Sequence, residues 1–202
     1  MFTVNVVDDE VGLDAQAHVR YAVYVEEKGW VPSSDAHSGR EQDEYDPQST
    51  HIVAHDLSGE AAGSLRIILG TGRLALPIEL EPFGIARDPN RTSVEISRLA
   101  VKREYRGNQL VMLGLCRLAV QQMVLNNVDD CYALVERPLL RGLCEIGFPF
   151  REIGIAHDYF GGQVLPVHAN VGELVPGVVA KDRFANFFTQ SFENFISEES
   201  IR

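Results

Sequence analysis

The chain has 202 residues, 45% of them hydrophobic, and carries a formal charge of −11. That length and apolar content fill one medium-sized core with no second domain. The acidic balance excludes partners held by bulk positive charge, nucleic acid and anionic membranes among them, so any anion site must be local.

Phe2–Val7 alternates like a short strand, and Asp8-Asp9 predicts the cap of a helix over residues 10–28. Val11, Leu13, Val19, Val23 and Val25 give that helix one broad apolar side, with Arg20, Tyr24 and, past Gly29, Trp30 near its end. Residues 31–50 turn polar and Pro-flanked and read as a long loop, the kind of segment that carries function in a compact domain. Asp43, Asp46 and His37 within it have no recognisable ligand spacing, so no metal is expected. Residues 51–56 and 61–69 read as strands joined by a hairpin at Ser58-Gly59. Arg66 interrupts the second of them. A buried arginine needs a carboxylate, and Asp43, Asp46 and Glu95 are the available partners. Residues 76–91 read as a loop or broken helix.

In the next strand Val94, Ile96, Leu99 and Val101 supply β-forming bulk, while Glu95, Ser97 and Arg98 put polar groups where a purely structural strand carries none. Apolar parity changes across Ser97-Arg98, which predicts a β-bulge there. A turn with Gly107 then leads into an apolar-periodic helix over 110–124. Its first backbone N–H groups lie beside Lys102, Arg103 and Arg106, the makings of an anion site. Residues 131–135 predict a buried strand, and Glu136-Arg137-Pro138 starts a helix over 139–146 that Gly147 closes. Residues 148–155 and 163–171 read as further strands, the second after a turn at Gly161-Gly162. From residue 51 the order β-β-β-α-β-α-β-β suits a mixed sheet with helices on its faces. Cys116, Cys131 and Cys144 show no Cys-x-x-Cys spacing and read as reduced thiols. With no basic leader and no apolar run of about 18 residues, the expectation is a cytoplasmic protein without a membrane span. From Lys181 on, Phe184, Phe187, Phe188, Phe192, Phe195 and Ile196 recur at intervals of three and four. They predict an amphipathic helix over 180–202 packed on the domain of residues 1–179. Glu193, Glu198 and Glu199 on its polar side speak against membrane attachment.

At Glu95-x-Ser97-Arg98 and Arg106-Gly107 the chain resembles the GNAT superfamily of acyltransferases. Their fourth strand is splayed by a bulge, and the following Arg-Gly-x-Gly-x-Gly or Ala loop holds the pyrophosphate of coenzyme A. Gln109 and Val111 stand here where that loop has small residues. The Glu95-x-Ser97-Arg98 signature, with Arg20-Tyr21-Ala22-Val23-Tyr24 and Gly29-Trp30, resembles one branch more narrowly: the acyl-homoserine-lactone (autoinducer) synthases and N-acyl amino acid synthases, which draw on acyl carrier protein.

The resemblance implies an α/β (α+β) GNAT-like three-layer fold, a mixed central sheet flanked by helices with its fourth strand splayed. It places Glu95, Ser97 and Arg98 at the catalytic centre, Glu95 taking the proton of the amine. Arg20, Tyr24, Trp30, Asp43, Asp46 and Arg66 then bind substrate. The backbone of Leu99, Ala100 and Val101 holds the oxyanion and the pantetheine amides, as an added strand would. Lys102, Arg103, Arg106 and Gly107 meet the donor's phosphate and its acidic carrier, and Leu80, Phe83 and Ile85 wall the acyl end. The implied donor is acyl carrier protein with its 4′-phosphopantetheine thioester, ahead of acyl-CoA, with no bound cofactor. Leu99-Ala100-Val101 and Tyr105-Arg106-Gly107 look most like the amino acid synthases, so the expected acceptor is an ordinary amino acid. An acyl-homoserine-lactone synthase using S-adenosylmethionine is the alternative, and a non-catalytic acyl- or carrier-binding module the second.

Overall fold

The computed structural model describes residues 1–36, 38–107, 109–181, 183–189 and 195–196. His37, Phe192, Glu193, Glu198 and Glu199, named above, lie outside the described residues.

Among the described residues nine strands form the sheet: β1 (Phe2–Val7), β2 (Ser49–Asp56), β3 (Ala61–Leu69), β4 (Ser93–Val101), β5 (Asp130–Val135), β6 (Arg151–Glu152), β7 (His157–Tyr159), β8 (Gly162–Asn170) and β9 (Phe195–Ile196). Their order is β6-β8-β5-β4-β3-β2-β1-β9, with β7 also on β8. Every pairing is antiparallel except β4 with β5. Helix α1 (Glu10–Arg20) covers β2, β3 and β4. Helices α2 (Leu110–Leu125) and α4 (Val171–Val179) pack with β1, β2 and β3 into the main apolar core. Helix α3 (Arg137–Ile146) adds Leu143 and Ile146 to that core, and α5 (Ala185–Thr189) adds Phe187. Helices thus lie on both faces of a mixed sheet, the GNAT-like arrangement. Gly63 permits the close seating of α2 on β3, because a Cβ there would stand 2.7 Å from Val111 Cγ1 and 2.9 Å from the Ala100 carbonyl oxygen.

Two irregularities in β4 make room for a site. Arg66 opposes Ser97 and Ser64 opposes Ala100, so Arg98 and Leu99 together face one residue of β3. That is the bulge the parity change predicts, with Arg98 left-handed at φ 51°. The parallel β4–β5 ladder runs only from Ser93↔Asp130 to Ile96↔Ala133, although β4 continues to Val101 and β5 to Val135. Past Ile96 the two strands part.

Four sequence expectations change. The first helix is α-helical only to Arg20 and continues as a π-helix over Tyr21–Glu27. The strand expected at 148–155 shrinks to Arg151–Glu152. Residues 171–179, unassigned by pattern, form α4 despite Pro176 within it, because Asn170 caps the helix by accepting the Gly172 N–H and Leu174 and Val178 bury. The tail is not one helix. Phe184 and Phe187 bury as the spacing predicts, but Phe195–Ile196 adds antiparallel to Phe2 and Thr3, where the edge strand β1 offers unpaired backbone groups. No helix among the described residues is long and apolar enough to cross a membrane.

Candidate active site

The parting of β4 and β5 opens a cavity of about 500 Å³ that passes through the sheet. On the α1 side it is polar, lined by Asp43, Tyr45, Arg66 and Glu95, and its rim is aromatic, with Tyr24, Trp30 and Phe160. Through the gap it becomes an apolar shaft between α2, α3 and α4, walled by Met112, Cys116, Met123, Leu143 and Leu174. A pocket of this size with few polar groups at one end suits a ligand with a reacting head and an apolar tail.

Around the polar end, six side chains alternate in sign in a closed ring. Arg20, wholly buried on α1, donates from Nε to Glu41 and from Nη1 to Asp46 Oδ1 at 2.7 Å. Arg66 on β3 reaches the same Asp46 Oδ1 at 2.7 Å and Asp43 Oδ2 at 3.0 Å. Arg98, swung out by the bulge, closes the ring on Asp43 Oδ2 at 2.8 Å and Glu41 Oε1 at 3.1 Å. Three guanidiniums and three carboxylates cancel, which is the condition for burying them at all. Burial pushes the Asp43 carboxyl up, but Arg66, Arg98 and Arg20 overcome it and hold it at about 2. Glu41 and Asp46 are likewise drawn below the usual carboxylate range against their burial, Glu41 by Arg98 and Arg20 and Asp46 by Arg20 and Arg66. Ser97 belongs to this frame, its hydroxyl accepting Arg66 Nε at 2.9 Å.

Glu95 stands apart from the ring. Of the three carboxylates available to Arg66, Asp43 and Asp46 take it, while Glu95 Oε2 accepts the Ile78 N–H at 2.9 Å. Glu95 is 1% exposed. Burial pushes its carboxyl up to about 8, with Ile78, Arg66 and Arg98 pulling the other way. A carboxyl poised there is suited to take a proton near neutrality.

The rim is assembled from two distant segments. The π-helical turn brings Tyr24 onto the bulge, where its hydroxyl donates to the Leu99 carbonyl at 3.0 Å, and stacks it on Trp30 at 5.7 Å. From the β7–β8 turn, Phe160 lays its ring 3.8 Å from the Arg98 guanidinium carbon. Gly161 follows at φ 73° against Trp30, where a Cβ would stand 2.6 Å from Trp30 Cα. Arg106, which also lines the cavity, donates to Glu27 Oε1 and Oε2, each at 2.7 Å, and to the Val101 carbonyl at 2.8 Å. Lys102 and Arg103 line a neighbouring polar hollow with Glu26 and Glu27. The basic corner read from sequence exists, and acids of the π-helix already face it. Gly107 lies between it and the start of α2, where Gln109 is left-handed at φ 60°.

Leu99, Ala100 and Val101 line the cavity, whereas Arg20 and Asp46 support it from behind as ring members. The expectation that Leu80, Phe83 and Ile85 wall the acyl end is corrected. Leu80 is exposed, Phe83 packs on His157 and Tyr159, Ile85 packs with the Tyr45 cluster, and Pro77 is what their segment gives the cavity. Two site residues escaped the sequence reading. Glu41 lies in the polar loop of residues 31–50 with nothing local to mark it, yet Arg20, Arg66 and Arg98 call for three carboxylates, of which Asp43 and Asp46 are two. Phe160 carries no sequence signal. Among the described residues no group of His, Cys, Asp and Glu could hold a metal ion.

The model of one family, N-acyl amino acid synthase FeeM, matches residues 15–159. No curated protein matches the sequence significantly. Among solved structures, the AHL synthase LasI superposes with TM-score 0.70 at 18% identity, over 85% of this chain and 90% of its own. BjaI, a CoA-dependent acyl-homoserine lactone synthase solved with SAM and isopentyl-CoA, gives TM-score 0.70 at 20% identity, over 85% of this chain and 84% of its own. FeeM itself, an N-acyl amino acid synthase from uncultured soil microbes, gives 0.68 at 14% identity, over 90% and 97%. The structural likenesses establish the fold, and the match over residues 15–159 establishes the family: the chain belongs to the FeeM family of N-acyl amino acid synthases and is an N-acyltransferase.

Proposed function

We propose that the protein transfers a long-chain acyl group from acyl carrier protein to the amine of an amino acid. The observation that carries this reading is the cavity itself, which joins a buried carboxyl tuned near neutrality to an apolar shaft through the split between β4 and β5. The acyl chain lies along α2 in the shaft, with the thioester at the bulge. The acceptor enters over Tyr24, Trp30 and Phe160. Its nitrogen attacks the thioester carbon, the carbon–sulfur bond breaks, and Glu95 takes the amine proton and delivers it to the departing sulfur. Backbone at Leu99 and Ala100 steadies the oxyanion, the largest lever such a site has. Residues 183–189 belong to the same unit, since Phe184 and Phe187 bury in the core that α2 shares with the sheet.

The closed ring bears on the acceptor. Asp43 is paired with three arginines and Asp46 with two, so the ring offers no net negative charge to a sulfonium, and the aromatic rim suits a zwitterion with an apolar or aromatic side chain. Gln109 and Val111 crowd the loop that would cradle a pyrophosphate, which favours a single-phosphate donor. Incubation with acyl carrier protein bearing C12 to C16 chains, or with the matching acyl-CoA, against each common amino acid and S-adenosylmethionine tests all of this by product mass. An N-acyl amino acid made faster from the carrier is expected. Release of methylthioadenosine with a lactone product overturns the acceptor, and equal kcat/KM for acyl-CoA overturns the donor.

A further inference from the structure

Glu95 owes its fixed position to a turn that touches the cavity only through Pro77. Residues Pro77–Glu79 form a single 3-10 turn on the α1 side of the sheet, and its middle N–H, from Ile78, is the one that Glu95 Oε2 accepts at 2.9 Å. Glu79 holds the turn from both sides, donating its own N–H to the Leu76 carbonyl at 2.9 Å and accepting the Leu76 N–H on Oε2 at 2.8 Å. The same oxygen meets Arg87 Nε at 2.9 Å, and Arg87 Nη2 anchors to the Gly70 carbonyl at 3.3 Å. Gly70 leaves room for that guanidinium, since a Cβ there would stand 2.5 Å from the Ser93 carbonyl oxygen and collide with Arg87 Nη1. A chain of contacts therefore runs from the end of β3 through Arg87, Glu79 and Ile78 to the carboxyl of Glu95.

We propose that Glu79 and Arg87, neither of which lines the cavity, are positioning residues for Glu95, acting through the turn they lock and the charge they balance. This rests on the reading of Glu95 as the base. The turn engages one carboxyl oxygen of a residue that lines the cavity, which fixes the rotamer from which a proton is taken. The pair also brackets Glu95 electrostatically. The groups facing Glu95 are Arg66 from β3, Arg98 from β4, Cys131 from β5, Tyr45 from the loop, Tyr159 from β7 and Glu79 from the turn; among these Glu79 brings the opposing negative charge. Arg87 offsets it.

Two substitutions with opposite expected signs test the proposal. Glu79→Gln keeps an oxygen for the Leu76 N–H but leaves Arg87 unbalanced, so Glu95 should ionise at lower pH. Arg87→Gln leaves Glu79 unbalanced, so Glu95 should ionise at higher pH. Each shift should be roughly half a pH unit or more, and the double variant should return toward the parent. The readouts are the ¹³C carboxyl titration of labelled glutamate, with the Glu95 resonance assigned by its loss in Glu95→Gln, and the acid limb of kcat/KM. Opposite movements in both readouts are expected. A resonance unmoved in either variant, while the acid limb vanishes in Glu95→Gln, overturns the role of Glu79 and Arg87 and leaves the base reading standing. A resonance that moves while every rate profile stays put removes Glu95 as the base, and the positioning role falls with it.

Discussion

At Glu95, the burial that suits the proposed catalysis works against stability. The folded carboxyl, at about 8, lies above its ordinary value of 4.5, so the folded protein holds the proton more tightly than the unfolded chain. The stability this gives is fully present below pH 4.5 and is lost as pH rises toward 8. Glu95→Gln should therefore lower kcat by about 10²- to 10⁴-fold and raise Tm, with a larger gain at pH 8 than at pH 5. Thermal melts at the two values check it, and a loss of Tm at pH 8 would refute it. The ring carries the reverse sign. Asp43, held at about 2, contributes stability present above 3.8 and lost as pH falls toward 2. Glu41→Gln leaves buried Arg20 half-compensated and should cost about 3–5 kcal/mol, read by chemical denaturation at neutral pH. Glu95, Ser97 and Arg98 were legible in the sequence because polar groups in the middle of an apolar strand demand a reason. The Ile78 N–H that anchors Glu95 was not, because a backbone donor has no side chain to announce it.

Among the elements, β4 was the one the sequence described best. A parity change in an alternating strand has few physical causes other than a bulge, and the structure puts the bulge at the predicted place with Arg98 left-handed. The elements that misled are those whose form depends on partners. Residues 171–179 have weak local helix preference and fold as α4 because Leu174 and Val178 bury, while Phe195–Ile196 becomes a strand because β1 is there to pair with it. The rim is a third case, since nothing local to Phe160 or Gly161 shows that Trp30 will lie against them. Trp30 is the one tryptophan of the chain, so its emission reports on that contact. Gly161→Ala would put a Cβ 2.6 Å from Trp30 Cα and strain a φ of 73°, at a cost of about 1–3 kcal/mol. The expected outcome is a shifted Trp30 emission and a raised KM for the acceptor with a smaller change in KM for the donor. Emission and both KM values unchanged would show that the β7–β8 turn does not shape the acceptor entrance.

Taken whole, a molecule of charge −11 is an unpromising partner for the acidic carrier protein proposed as its donor, so docking of such a carrier would have to come from a local exception to its field. The exception is the corner beside the cavity rim, where Lys102, Arg103 and Arg106 cluster at the end of β4. It is a restrained exception. Arg106 spends both ends of its fork on Glu27, whose carboxyl it holds below the usual range, and Arg103 Nη2 lies 3.7 Å from the same carboxylate. The phosphate of the proposed donor, though tetrahedral where the carboxylate is planar, also offers two anionic oxygens to the fork, and would compete with Glu27 for one guanidinium. This gives two variants opposite effects. Reversing Arg103 and Arg106 to Glu should raise the apparent KM for acyl carrier protein and flatten its dependence on ionic strength, because the attractive part of the encounter is removed. Glu27→Gln should lower the KM, because Arg106 is then free for the phosphate. Steady-state kinetics at low and at physiological salt decide it. A KM that rises in Glu27→Gln would mean that the Arg106–Glu27 pair holds the loop in its docking shape, and the competition argument would be wrong.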